Sequence, residues 1–244
     1  MKILIIIIIS YIVIKRIYKG IKNKKYKVPK CDADIVIAPC GIRGTYTAGI
    51  CHYLKNHFIL TDKKIVGFSS GSINNLFINL HNEKNNEFLK SLMKNKLNND
   101  IKGYLKKTIQ SIHSEFTEKD FNLNGINIGV CHSDGLHIYN NFLNLKDALD
   151  CCMSSSFIPF ITYKDLLYFY KYKLSLDGGL FYRSYIKNNH SLIINHYMFN
   201  RYNVPHMHIS GIRTKNVNVY QMYINGYNDA RNNHDYFLKY LTPL

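Results

Sequence analysis

The chain has no CxxC pair, although it holds six cysteines (Cys31, Cys40, Cys51, Cys131, Cys151 and Cys152), of which only Cys151-Cys152 are adjacent. An α/β chain of 244 residues does not need disulfide staples, so reduced thiols and a cytosolic setting are expected. Zinc spacing is missing among the eleven histidines: no Cys or carboxylate near His206 and His208 completes a ligand set, and neither metal nor cofactor is expected. Acidic residues are scarce, 16 against 32 Lys plus Arg, for a net charge of +16. Such a field suits an anionic membrane or nucleic acid. Arginine is also sparse (Arg16, Arg43, Arg183, Arg201, Arg213, Arg231) while Ile, Asn, Lys and Tyr abound. That pattern follows from AT-rich coding, which raises lysine without selection for binding, and nucleic acid is not expected as a partner.

What is present is enough apolar residue, 46%, to build a core, in a length suited to one α/β domain of the larger kind. The run "MKILIIIIISYIVIKRIY" at residues 1–18 is apolar from Ile3 to Ile14 apart from Ser10 and Tyr11. As a helix these residues would reach about 27 Å, just adequate for a bilayer if Lys2, Lys15 and Arg16 snorkel. No small-x-small cleavage site follows; Lys19, Lys22, Lys24, Lys25 and Lys27 come instead. A basic flank stays on the cytoplasmic side. The expectation is therefore an anchor at 1–18, a basic linker at 19–32, and a domain at 33–244 on the cytosolic face of a membrane.

The order of elements predicts an α/β sheet that is mainly parallel. "ADIVIAPC" (33–40) reads as a buried strand, "GIRG" (41–44) breaks it, and 45–58 has helical spacing. "KKIVGF" (63–68) is a second strand and Ser70–Leu80 a second helix, giving a βαβα order with parallel pairing. Residues 82–118 read as polar helices, 125–133 and 136–142 as two strands around Asp134-Gly135, and 145–156 as a short helix. "YFYKYKLSL" (168–176) alternates as one strand running into "DGG" at 177–179. A strand around "SLIINHYMF" and a helix from about Val217 to Leu241 complete the chain.

"GFSSG" at 67–71 carries the candidate chemistry. A serine at a sharp strand-to-helix turn is lifted above the sheet edge, flanking glycines permit the strained turn, and the helix N-terminus favours negative charge. Ser69 meets this with Gly67 and Gly71 on either side; Ser70 and Ser72 do not. "PCGIRG" ends the preceding strand, so backbone N–H groups of Cys40, Gly41 and Arg43 are candidates for an oxyanion site facing Ser69. "DGG" ends a later strand, where the Asp177 carboxylate can reach the same edge.

"CGIRG", "GFSSG" and "DGG", in this order, resemble the glycine-rich loop, nucleophile elbow and aspartate motif of the patatin-like phospholipases. "SDGLHIYNNFLNLKDALDCCMSSSFIPF" is similar to the connecting segment of the adipose triglyceride lipase branch, and the resemblance covers roughly residues 33–180. It implies a three-layer α/β/α domain and a Ser69–Asp177 dyad without histidine. Cys40, Gly41 and Arg43 would give the oxyanion donors, with Gly44, Gly67, Gly71, Gly178 and Gly179 completing the motifs. The implied activity is hydrolysis of fatty-acyl esters of membrane lipids, phospholipid first and neutral glyceride second. Pro39 and Cys40 depart from the pattern, since they stand where the family has glycines; Cys40 keeps its backbone donor, while Pro39 has no N–H to donate. Three rivals remain open at this point: a transacylase using the same dyad, a Ser-Asp-His hydrolase drawing on His190, His196, His206 or His208, and an inactive membrane-bound module.

Overall fold

The computed structural model describes residues 26–94, 101–163, 165–187, 189–201 and 217–244. The expected anchor, the linker up to residue 25, and both His206 and His208 lie outside them. Among the described residues no helix is long and apolar enough to cross a membrane.

The fold is α/β, with helices around a mixed and mostly parallel sheet. Its strands are β1 (Ile35–Ile37), β2 (Ile65–Phe68), β3 (Ile126–His132), β4 (Gly135–Tyr139), β5 (Phe169–Tyr170), β6 (Lys173–Leu176) and β7 (Leu192–Ile194). They lie in the order β5-β6-β3-β2-β1-β7, with β4 also paired to β3. The pairs β7–β1, β1–β2 and β2–β3 are parallel; β4, β5 and β6 join antiparallel. The helices are α1 (Gly44–His57), α2 (Ser70–Ile78), α3 (Asn85–Met93), α4 (Ile101–Glu115), α5 (Leu145–Ser155), α6 (Gly179–Tyr185), α7 (Val219–Asn232) and α8 (His234–Phe237).

Strand side chains alternate between two apolar clusters, as a period of two requires. Ile35, Ile37, Ile65, Ile126 and Ile128 point to one side, where α1 to α5 and α7 supply the larger cluster. Val36, Val66, Phe68 and Cys131 point to the other, against Phe181, Tyr182 and Tyr185 of α6. Because both faces are covered, the central strands read as unbroken apolar runs rather than as alternation. Helices α1 and α7 lie close: a Cβ on Gly49 would collide with the Tyr223 carbonyl, and one on Gly226 with that of Tyr46. A 2.8 Å hydrogen bond from Tyr46 to Asp229 joins the two helices, and Arg201, from the segment after β7, pairs with the same carboxylate. The packed body extends back to Tyr26, ahead of residue 33: Lys27 bridges to Gly135, and the Tyr26 ring packs at a tilt against Phe181.

Residues 168–176 are not one strand. They form the hairpin β5–β6, turning at Lys171 and Tyr172, which both have positive φ (47° and 62°). Two consecutive left-handed residues give the tight turn that matches strand twist. The C-terminal strand is shorter than its apolar run, ending at Ile194, and the last helix stops at Asn232 before the short α8.

This hairpin sets the site. Strand β2 pairs with β3 as far as Phe68↔Gly129, and β4 occupies the opposite edge of β3 over Ile128–His132. Strand β6 pairs with Cys131 and His132, so it takes up the edge that β2 vacates. The two strands approach end to end, β2 running toward Ser69 and β6 toward Asp177. The carboxylate thus arrives head-on rather than from a neighbouring parallel strand end.

Candidate active site

Ser69 sits at φ 53° and ψ −125°, between the last residue of β2 and the first of α2. A non-glycine residue there stores about 1–3 kcal/mol of strain and is held by its surroundings. Two close approaches require the glycines beside it. A Cβ on Gly67 would strike the Gly71 carbonyl, and one on Gly71 would strike the carbonyl of Ile37.

The Ser69 hydroxyl donates to Asp177 Oδ2 at 2.7 Å, and both residues are buried. Asp177 Oδ1 accepts the Gly179 N–H at 2.7 Å, and its own N–H donates to the Phe157 carbonyl at 2.9 Å. The carboxylate is held in one orientation. Burial raises its pKa from 3.8 to about 6, against the lowering effect of the Ser69 and Gly179 hydrogen bonds. A carboxylate of that pKa is a stronger base than one in water and is still ionised at neutral pH.

Ser155 was invisible as a site residue in the sequence, where it is the middle of three serines. Its Oγ accepts the Ser69 N–H at 2.8 Å and donates to the Gly129 carbonyl at 2.7 Å, while its carbonyl accepts the Gly178 N–H at 2.8 Å. One side chain and its backbone therefore tie the elbow, β3 and the aspartate turn together. Only long-range pairing gives it this role, so no local signal marks it.

The glycine-rich turn lies alongside. The Cys40 N–H donates to Ser70 Oγ at 3.0 Å, and Arg43 N–H closes on the Cys40 carbonyl at 3.1 Å. Two of the three expected oxyanion donors are thus engaged within the turn and elbow, and Gly41 is the third. Gly41 has φ 55°, a left-handed conformation that favours glycine. Pro39 packs on the aspartate turn, where a Cβ on Gly179 would come within 2.9 Å of its side chain. A Cβ on Gly44 would come within 2.6 Å of Ser70. All three motif turns meet at one place.

Among the described residues no histidine bonds to Ser69 or Asp177. His196 is buried next to Cys40 and Arg43; burial, then the Arg43 charge, lowers its pKa to about 4. His190 is a surface residue whose N–H donates to Asn189. A cavity of about 70 Å³ opens beside Ser69, walled by Ile42 of the glycine-rich turn, Ile73 of α2, Leu92 of α3 and Leu105 of α4.

No family model, curated protein or solved structure matches the chain.

Proposed function

We propose that the chain is a lipid acyl hydrolase of the patatin-like kind, acting through Ser69 and Asp177. The observation that carries this reading is the 2.7 Å hydrogen bond from the Ser69 hydroxyl to Asp177, made at a strained strand-to-helix turn. Asp177 takes the hydroxyl proton as Ser69 Oγ attacks the ester carbonyl. The developing oxyanion is received by the Gly41 N–H and the N-terminus of α2, whose dipole favours negative charge. Collapse expels the alcohol, which leaves with the proton from Asp177. Water then attacks the acyl-serine, Asp177 again accepts a proton, and a free fatty acid departs.

The finer fold, a three-layer α/β/α patatin-like domain, belongs to the same proposal; apolar clusters on opposite faces of the sheet support it. So does attachment to a membrane through residues 1–18, with the catalytic domain on the cytosolic side, supported by the apolar run and its basic flank. Phospholipid is the first substrate proposed, and the excess of basic residues suits an anionic lipid surface.

The test is covalent labelling with a fluorophosphonate, followed by incubation with a mixed lipid extract and identification of released products. Labelling and fatty-acid release are expected from the wild type and neither from Ser69→Ala. Equal labelling of the two proteins overturns the assignment.

A further inference from the structure

Large apolar side chains left in solvent gather at one feature, the β5–β6 hairpin. Tyr172 and Leu143 are almost fully exposed, and Phe169, Leu166 and Leu167 more than half. Leu166 and Leu167 lead into β5, Phe169 is its outward residue, and Tyr172 stands at the turn. Leu143 joins them through Asp147, whose carboxylate accepts its N–H at 3.3 Å and lies 3.7 Å from the Lys171 ammonium. A turn selected for folding alone would carry Asn or Gly at positive φ. Tyr172 holds that place with its ring in solvent. Tyrosine is favoured where one end of a side chain meets lipid and the other water.

The hairpin stands at the Ser69–Asp177 end of the sheet. Strand β6 enters from beyond the end of β3 and runs back to Asp177, so its turn lies on the far side of the dyad from β2. Tyr172 is five positions before Asp177, which is about 16 Å at strand rise. The N-terminal part of the chain enters the packed body at the same corner. Lys27 makes backbone hydrogen bonds to Asp134 and Leu136, and Asp134 pairs with Lys173 of β6 at 3.2 Å. The eight steps from Tyr18 to Tyr26 can span at most about 29 Å. A bilayer holding residues 1–18 is therefore within reach of the hairpin. Lysines at 19, 22, 24, 25 and 27 bring basic charge to this corner, which suits anionic lipid.

We propose that this hairpin is a second membrane contact, in which Phe169 and Tyr172 enter the head-group region of a phospholipid bilayer and turn the Ser69–Asp177 end of the sheet toward it. The inference rests on the membrane-attachment and acyl-hydrolase readings above and adds how dyad and substrate are brought together. Leu143, Leu166 and Leu167 complete the apolar surface. Moving one such side chain from water into lipid is worth about tenfold or more in the equilibrium.

The chain has no tryptophan, so a single introduced one reports its own surroundings. Phe169→Trp, Tyr172→Trp and Leu244→Trp are made in the full chain and bound to phosphatidylcholine vesicles containing phosphatidylserine. Leu244 is the control: its N–H bonds to the carbonyl of His57, at the far end of the helix that starts beside Ser70. Emission from the two hairpin variants is expected to shift to the blue and to be quenched by brominated phosphatidylcholine, and that from Leu244→Trp to do neither. Solvent-like, unquenched emission from both hairpin variants on vesicle-bound protein overturns the inference and leaves the attachment reading standing. Blue-shifted but unquenched emission also overturns it, because residues 1–18 or a second copy then cover the hairpin. Failure of the wild type to float with the vesicles overturns the attachment reading and this inference with it. In a second arm, Phe169→Thr is combined with Tyr172→Asn, which suits the positive φ. Fatty-acid release from the same vesicles should fall about tenfold, while kcat/KM for soluble p-nitrophenyl butanoate stays within about twofold. Equal loss on both substrates overturns the orienting role. Absence of Ser69-dependent turnover of either substrate overturns the acyl-hydrolase reading alone, because quenching needs no catalysis.

Discussion

Replacing Asp177 by Asn should destroy activity and stabilise the protein at once. The amide keeps an oxygen to accept the Gly179 N–H and can donate to Ser69 Oγ, so the site stays filled. What disappears is a buried negative charge. Burial raises the Asp177 pKa from 3.8 to about 6, so between those values the native state binds more protons than the unfolded state. Stability then falls as pH rises through that window. The cost is absent below pH 3.8, is complete above about 6, and amounts to about 3 kcal/mol. Urea denaturation of wild type and Asp177→Asn, from pH 4 to pH 7.5, should show curves that meet at the acid end and separate toward neutrality, with the variant the more stable. Activity should move the opposite way. The wild type should lose about tenfold in kcat/KM between pH 7 and pH 5 as the base is protonated, and Asp177→Asn should lose about 10³-fold or more at any pH. A variant less stable than wild type at pH 7, by an amount independent of pH, would refute the reasoning.

Gly71→Ala should cost more than about 4 kcal/mol and abolish fluorophosphonate labelling, because the added Cβ runs into the Ile37 carbonyl; chemical denaturation and labelling check both. Lys55 is buried, and its ammonium donates to the Phe77 and Leu80 carbonyls around the end of α2 and to Asn85 at the start of α3. Burial lowers its pKa from 10.5 to about 8, so the unfolded state binds more protons between these values and stability should rise with pH across them. Subtracting the stability profile of Lys55→Met from that of wild type should isolate this rise, and a flat difference would remove Lys55 as its source. Deleting residues 1–18 should convert a carbonate-resistant membrane protein into one released by salt; equal solubility of both forms would rule out the anchor.

How far the sequence could be read depended on whether a signal was local. The turn at Ser69 was legible because an apolar strand, two spaced glycines and a periodic helix fall within one short stretch. The aspartate was legible as a turn residue, but its direction of approach was not. A two-residue hairpin preserves the alternation of its strands, so residues 168–176 look the same folded back as extended. Lys171 and Tyr172 occupy the positive φ positions where Asn or Gly would have announced a turn. Ser155 and the Cys40–Ser70 hydrogen bond depend on pairings across 86 and 30 residues, and nothing in a local pattern encodes such partners.

The end-to-end meeting of β2 and β6 has an evolutionary consequence. Both halves of the dyad are indexed to the same strand, one through Phe68↔Gly129 and the other through Leu176↔Cys131. Their separation is therefore measured along β3 and not along the chain that joins them. The connection between Thr162 and Tyr168 can lengthen, shorten or change composition without moving Asp177 relative to Ser69, provided the β5–β6 hairpin keeps its register on β3. A lineage, or an engineer, can treat that connection as an exchangeable module, altering what is presented to the cavity mouth while the proton-transfer distance is inherited unchanged.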